Sequence, residues 1–317
     1  QTNRLPMRYG ILLLLAAFVL LSSTGCASWF GQPDPPAQFA RLGPVPDNRD
    51  VPSDLLFPKD LEIEQDHARR GDVLLQRGDF AGAFVQYEKH LAAHPDDLEV
   101  QHKKGLAFLM GRQYDEAAKV FAAVLARDPD YIPSHQALGR TCFETGDLDR
   151  AERHLRTVVA LDPGRWGAFN LLGNIHDRRH DYGQAIAAYQ TAIRIAPSQG
   201  KLHQNLGVSY LLAKQYPKAA ASLEEAIQLG IRDRRVFNNL ALAYAGMGQT
   251  QRALRAFKQG GSVPQAYNNL GVIYMQQGQY AAAIEAFEKA IALSPRFYSK
   301  ASSNLSNARA MLARKTE

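Results

Sequence analysis

The stretch PQAYNNLGVIYMQQGQYAAAIEAFEKAIALSPRF, residues 264–297, decides the fold. Leu270-Gly271, Tyr274, Gly278, Tyr280, Ala283, Phe287, Ala290 and Pro295 mark small and large residues at fixed places in a block of 34. Working back from it, Pro95, Pro129, Pro163 and Pro197 each close a block of the same length. A constant period of that size is the mark of a helical solenoid, in which each unit buries its apolar face against the next. Counting every block from one, position 8 reads Gly71, Gly105, Gly139, Gly173, Gly207, Ala241 and Gly271. Position 20 reads Ala83, Ala117, Ala151, Ala185, Ala219, Ala253 and Ala283. Only small side chains let two helices approach closely there. Position 24 is large and apolar or aromatic in every block: Tyr87, Phe121, Leu155, Tyr189, Leu223, Phe257 and Phe287. These side chains are expected to fill the space the small residues leave, as interdigitating cores require.

The order Leu-Gly, Tyr, Ala, aromatic, Pro resembles the tetratricopeptide repeat, a helix–turn–helix of 34 residues. The resemblance implies an all-α solenoid, wound as a right-handed superhelix, of seven repeats: 64–97, 98–131, 132–165, 166–199, 200–233, 234–263 and 264–297. The first departs most, with Arg70 in the leucine slot, as suits a terminal repeat facing solvent. The sixth has 30 residues and ends in Gly260-Gly261-Ser262, so one helical turn is expected to be missing. Residues 298–317 place Leu305, Ala308 and Leu312 at helical spacing among Ser, Asn, Lys and Arg, the pattern of a solvating capping helix.

The N-terminus carries a second signal. Met7-Arg8 leads into an apolar run from Ile11 to Leu21, then Ser22-Ser23-Thr24-Gly25-Cys26. A charged start, a short apolar core and small residues describe a secretory signal peptide over 1–25. With Cys26 directly after it, the segment resembles a bacterial lipoprotein signal, whose motif is Leu, a small residue, Gly or Ala, then Cys; here Ser23 stands in the leucine place. An ordinary signal peptide cut nearby and an uncleaved anchor are the alternatives. Gln1 to Pro6 precede the first methionine and are expected not to belong to the natural product. The lipoprotein resemblance implies a lipid on Cys26, and with Ala27 rather than an aspartate following it, the sorting rule implies the outer membrane, facing the periplasm. Residues 26–60 hold Pro33, Pro35, Pro36, Pro44, Pro46, Pro52 and Pro58 among few long apolar side chains and read as an extended tether.

Two cysteines occur, Cys26 and Cys142, so a lipidated Cys26 leaves none to form a disulfide. Cys142 falls at position 11, a buried slot. The net charge of +6 is uneven: residues 200–317 hold 15 Lys/Arg against 6 Asp/Glu. Arg232, Arg234 and Arg235 cluster at a repeat junction. That end suits an acidic protein partner or an anionic envelope surface, or is a solvated basic face; for an exported chain nucleic acid is not expected.

No catalytic constellation, phosphate loop or zinc-type cysteine spacing stands out, and neither an enzyme nor a cofactor is expected. His176 and His180 are four apart, but His176 fills the aromatic slot and His180 the turn, so no metal is assigned. The inner face of each first helix is the informative surface. Positions 5, 6 and 9 give Asn170 and Asn174, Asn205, Asn238 and Asn239, then Asn268 and Asn269. Amides both donate and accept, so such a row can pair with the backbone of an extended peptide whatever its sequence. It resembles the asparagine ladder of long tetratricopeptide superhelices; holding neighbouring repeats together, or facing water, is the alternative role. Replacing Asn205, Asn239 and Asn269 together is expected to weaken partner capture without changing stability. Asn170 stands where a chaperone-tail clamp needs lysine.

The leader together with the runs Leu202-His203-Gln204-Asn205-Leu206-Gly207-Val208-Ser209-Tyr210 and Arg234-Arg235-Val236-Phe237-Asn238-Asn239-Leu240-Ala241-Leu242-Ala243-Tyr244 resembles the TadD family, the tetratricopeptide lipoproteins of the tight-adherence (Flp) pilus system. The resemblance implies a membrane-anchored scaffold that assists assembly of a pilus or secretion machine by binding an envelope protein, a secretin among the candidates. A general envelope scaffold recruiting peptidoglycan enzymes or outer-membrane assembly factors is the alternative.

Overall fold

The computed structural model describes residues 66–294, 296 and 298–316. The chain divides into two units, 1–59 and 60–317. All described residues belong to the second; the leader 1–25, Cys26 and the tether 26–60 lie outside them.

Among the described residues there are fifteen helices and no strand. They come in pairs: α1 (His67–Gln76) with α2 (Phe80–Ala93), α3 (Leu98–Met110) with α4 (Tyr114–Arg127), α5 (Ile132–Thr145) with α6 (Leu148–Leu161), and α7 (Trp166–Arg178) with α8 (Tyr182–Ile195). The series continues with α9 (Gly200–Leu212) and α10 (Tyr216–Gln228), α11 (Arg234–Gly246) and α12 (Thr250–Gly260), α13 (Val263–Gln276) and α14 (Tyr280–Ala292), and closes on α15 (Ser299–Thr316). This is an all-α helix-pair solenoid ending in a single helix.

Each pair is started and turned by local chemistry. Asp79, Asp147 and Asp181 cap second helices by accepting from the backbone N–H three residues on, which satisfies donors the helix leaves free. Within each pair the chain reverses through one left-handed residue, at Gly78, Arg112, Gly146, His180, Lys214, Gly248 and Gly278. In six of these turns the N–H of the residue after it reaches back to the first helix, as Gln215 does to the Tyr210 carbonyl at 2.8 Å.

The pairs close on the residues of positions 8, 20 and 24. A β-carbon on Gly105, Gly173 or Gly271 would lie 2.5 Å from a ring carbon of Phe121, Tyr189 or Phe287, so the ring occupies the space of the missing side chain. Position 20 has no exposed surface in any repeat, from Ala83 to Ala283. Burying one such ring contributes about 1.5–3 kcal/mol. Cys142 is a free thiol, 3% exposed, in its predicted buried slot.

The ends match their sequence pattern. Arg70 is exposed on α1. Ala301 and Ala308 of α15 are fully buried, and Leu305 packs against the cluster that Ala308 forms with Ala283 and Phe287, so α15 covers the apolar side of the last pair. The four-residue deletion in the sixth repeat is not one lost helical turn. α12 has 11 residues where other second helices have 13 or 14, and the linker to α13 is Gly261-Ser262 alone. Half the deletion therefore falls in the connection. Ser262 restarts the chain at once through a reciprocal capping box with Gln265.

Candidate peptide-binding face

First helices touch the next first helix, α1 with α3, α3 with α5, α5 with α7, α9 with α11 and α13 with α15; no second helix meets the next second helix to that extent. The first helices therefore form the crowded inner row, and their outward-turned positions form one continuous face.

Polar side chains tie this row together between repeats. His102 Nδ1 lies 3.0 Å from the buried Ser134 Oγ, and burial pushes the imidazole down to about 4, so it is neutral at neutral pH. Asn205 is 6% exposed and donates through Nδ2 to Asn170 Oδ1 at 2.9 Å. Asn304 of α15 does the same to Asn268, which is 1% exposed, at 3.0 Å. Each amide pair replaces water for both partners, which is why it can be buried.

The seven asparagines thus separate by place. Asn170, Asn205 and Asn268 spend amide groups on neighbouring helices. Asn174 is half-buried and accepts from the Tyr189 hydroxyl at 2.6 Å. Asn238 sits against the end of α12, where a β-carbon on Gly260 would be 3.1 Å from its Oδ1. Asn239 and Asn269 are half-buried and make no side-chain hydrogen bond with a described residue. The inter-repeat bond of Asn205 means that its replacement touches stability as well as the face.

Alongside Asn239 and Asn269 the face is apolar. Val208, Leu211, Leu242, Val272 and Met275 are half-buried, Leu211 and Leu242 packed on one core cluster and Val272 and Met275 on the next. Further toward the N-terminus it is charged. Lys103 bridges Asp72 at 3.0 Å and Glu99 at 2.8 Å; burial pulls its ammonium down, but these carboxylates outweigh it and leave the net shift upward.

Between the two stretches stands Asp177, which the sequence shows only as a neighbour of His176. Ser209 of α9 donates to it at 2.8 Å, and the Tyr189 hydroxyl is 2.9 Å away. Burial pushes its carboxyl up to about 6, against the pull of those hydroxyls. Burial, then the charge of Asp177, drives the Tyr189 phenol far up, so it stays a donor.

No group of three His, Cys, Asp or Glu among the described residues is arranged to hold a metal, and His180 sits in its turn at φ 60°, bonded to Tyr182. No helix among them is long and apolar enough to cross a membrane.

Models of the tetratricopeptide repeat match residues 68–132, 108–172, 166–199 and 264–297. The chain belongs to the tetratricopeptide repeat family. Solved structures agree on the fold. The C-terminal part of a repeat-containing protein from Cytophaga hutchinsonii superposes with a TM-score of 0.59 at 18% identity, over 75% of this chain and 98% of that one. A tetratricopeptide repeat protein from Parabacteroides merdae gives 0.53 at 15% identity, over 78% and 99%. The Cut9–Hcn1 hetero-tetramer of the APC/C gives 0.56 at 18% identity over 80% of this chain, which spans half the length of that one. Comparison with curated proteins finds no match. Tetratricopeptide solenoids bind protein partners, so the fold suggests a protein-interaction scaffold.

Proposed function

We propose that the scaffold works in a bacterial envelope, held to the outer membrane by lipid on Cys26 and facing the periplasm, where it binds an extended segment of a pilus or secretion component on its inner face. The observation that carries the binding reading is the pairing of Asn239 and Asn269, amides without a side-chain partner among the described residues, with the apolar floor of Leu242, Val272 and Met275. An extended segment laid along α9, α11 and α13 could give its backbone to the amides and apolar side chains to the floor. The excess of Lys and Arg over residues 200–317 favours a segment rich in Asp and Glu and makes association sensitive to salt. The leader and the proline-rich stretch before the repeats support anchoring at a distance from the membrane, and the TadD resemblance supports the pilus assignment.

The test is purification of the lipidated chain from crosslinked envelopes. Enrichment of a pilus or secretin component supports the assignment. Enrichment of peptidoglycan enzymes instead moves it to a general envelope scaffold.

A further inference from the structure

Asp177 lies in the row of first helices, since Ser209, which bonds it, belongs to α9 and Asp177 to α7. Its carboxylate is held by two hydroxyls and by no cation among the described residues. The two arginines that follow it in sequence are committed elsewhere. Arg178 is turned to the preceding pair, its guanidinium 3.7 Å from the Phe143 ring centroid and donating to the Phe143 carbonyl at 2.9 Å. Arg179 pairs with Asp149 and Glu152 on α6. No ion pair reaches Asp177 from any described residue.

A carboxylate taken out of water keeps a large unmet demand for positive charge unless a cation answers it. Two hydroxyl donors fix its orientation without supplying that charge. Ser209 reaches both carboxylate oxygens, and the Tyr189 hydroxyl is itself held between Asn174 and Asp177. The group is therefore rigid, half-buried on the inner face, and electrostatically incomplete. Such a group, oriented in advance, is what recognition of one charged side chain requires.

We propose that Asp177 reads one basic side chain, arginine or lysine, of the segment bound on the inner face. This rests on the reading that the inner face is the binding face. It adds a sign and a place to the partner: a positive residue at α7–α9, with the acidic and apolar residues lying toward α11 and α13. A cation there would complete the charge that Arg178 and Arg179 leave unanswered.

The test uses the whole chain and three fluorescent nine-residue alanine–serine peptides, acetylated and amidated, with arginine, lysine or citrulline at the centre. Citrulline keeps the shape and loses the charge. Anisotropy titration at low salt is expected to show the arginine or lysine peptide binding about tenfold tighter than the citrulline peptide, the ratio that ~1.4 kcal/mol gives. Asp177→Asn keeps an oxygen for Ser209 and Tyr189 and should abolish that preference while melting as a folded protein. Leu242→Glu, on the apolar floor, should weaken all three peptides. Equal binding of the charged and citrulline peptides to the unaltered chain overturns the proposal without any variant, as does a preference that survives Asp177→Asn. If either result comes with loss of binding in Leu242→Glu, the inner-face reading stands and only the carboxylate's role is wrong. If Leu242→Glu changes nothing, or no peptide binds, the inner-face reading fails for such segments and the proposal goes with it.

Discussion

The ring of Tyr189 stands where a side chain on Gly173 would have to go, its Cε1 2.5 Å from the place of a β-carbon, and the ring itself is 1% exposed. It cannot swing out to make room. Gly173→Ala therefore overpacks the α7–α8 contact, and Ala185→Leu does so from the other helix. Each should cost about 1–3 kcal/mol in urea unfolding, more than the helix propensity gained by removing a glycine. Because stability in a solenoid is a sum over neighbouring units, hydrogen exchange should rise around α7 to α10 and stay unchanged in α1 to α4. Unfolding midpoints equal to the parent would show that the registration of positions 8, 20 and 24 is wrong.

Lys214, Arg112 and His180 adopt φ of 59°, 60° and 60° at the turn where four other repeats have glycine. A residue with a β-carbon is strained there by about 1–2 kcal/mol. Lys214→Gly should accordingly stabilise the chain, by about 1 kcal/mol after the added freedom of glycine in the unfolded chain is subtracted. Denaturant midpoints measure it; a lower midpoint contradicts the strain.

The carboxyl of Asp177 is raised from its ordinary 3.8 to about 6 by burial, with Tyr189 and Tyr182 of α8 and Ser209 of α9 around it and no cation among the described residues. The folded chain thus holds this proton more firmly than the unfolded one. Its contribution to stability is complete below the unfolded value and is lost as pH rises through about 6. Asp177→Asn should flatten the fall in stability between those values and leave the variant the more stable of the two at pH 7. An unchanged pH profile would mean that the carboxyl titrates as an exposed one does.

Anchoring through Cys26 predicts that Cys26→Ser abolishes incorporation of labelled fatty acid and releases the chain from floated outer membranes. One acyl chain binds marginally and two bind stably, at roughly 0.8 kcal/mol per buried methylene. A Cys26→Ser chain that still floats with outer membranes, with the parent's N-terminal mass, contradicts the anchor.

The packing of each helix pair was legible in the sequence because residue size repeats with the period: the glycines, alanines and rings of positions 8, 20 and 24 meet as their spacing implies. The ties between pairs were not. Asn170 and Asn205, or Asp177 and Ser209, lie about one repeat apart, but so do many residues that never touch. Which of them turn toward the next helix depends on the rotation of one pair against another, set by the whole packed interface and not by any single residue. The asparagine row illustrates this: seven amides of one type divide between inter-repeat bonds at Asn205 and Asn268 and side chains without such bonds at Asn239 and Asn269. The left-handed turns show the same limit, since Lys214 and Gly278 share a conformation that only the backbone reveals.

Whether the inner row of first helices holds the partner is decided by a photo-crosslinking residue placed in turn at Asn239 and Asn269 and at the exposed Arg255 of α12. In intact envelopes one shared adduct is expected from both inner positions and none from Arg255, with the inner adduct lost in Asn239→Ala/Asn269→Ala chains crosslinked from Leu242. An adduct that forms from Arg255 and not from the inner positions would contradict it.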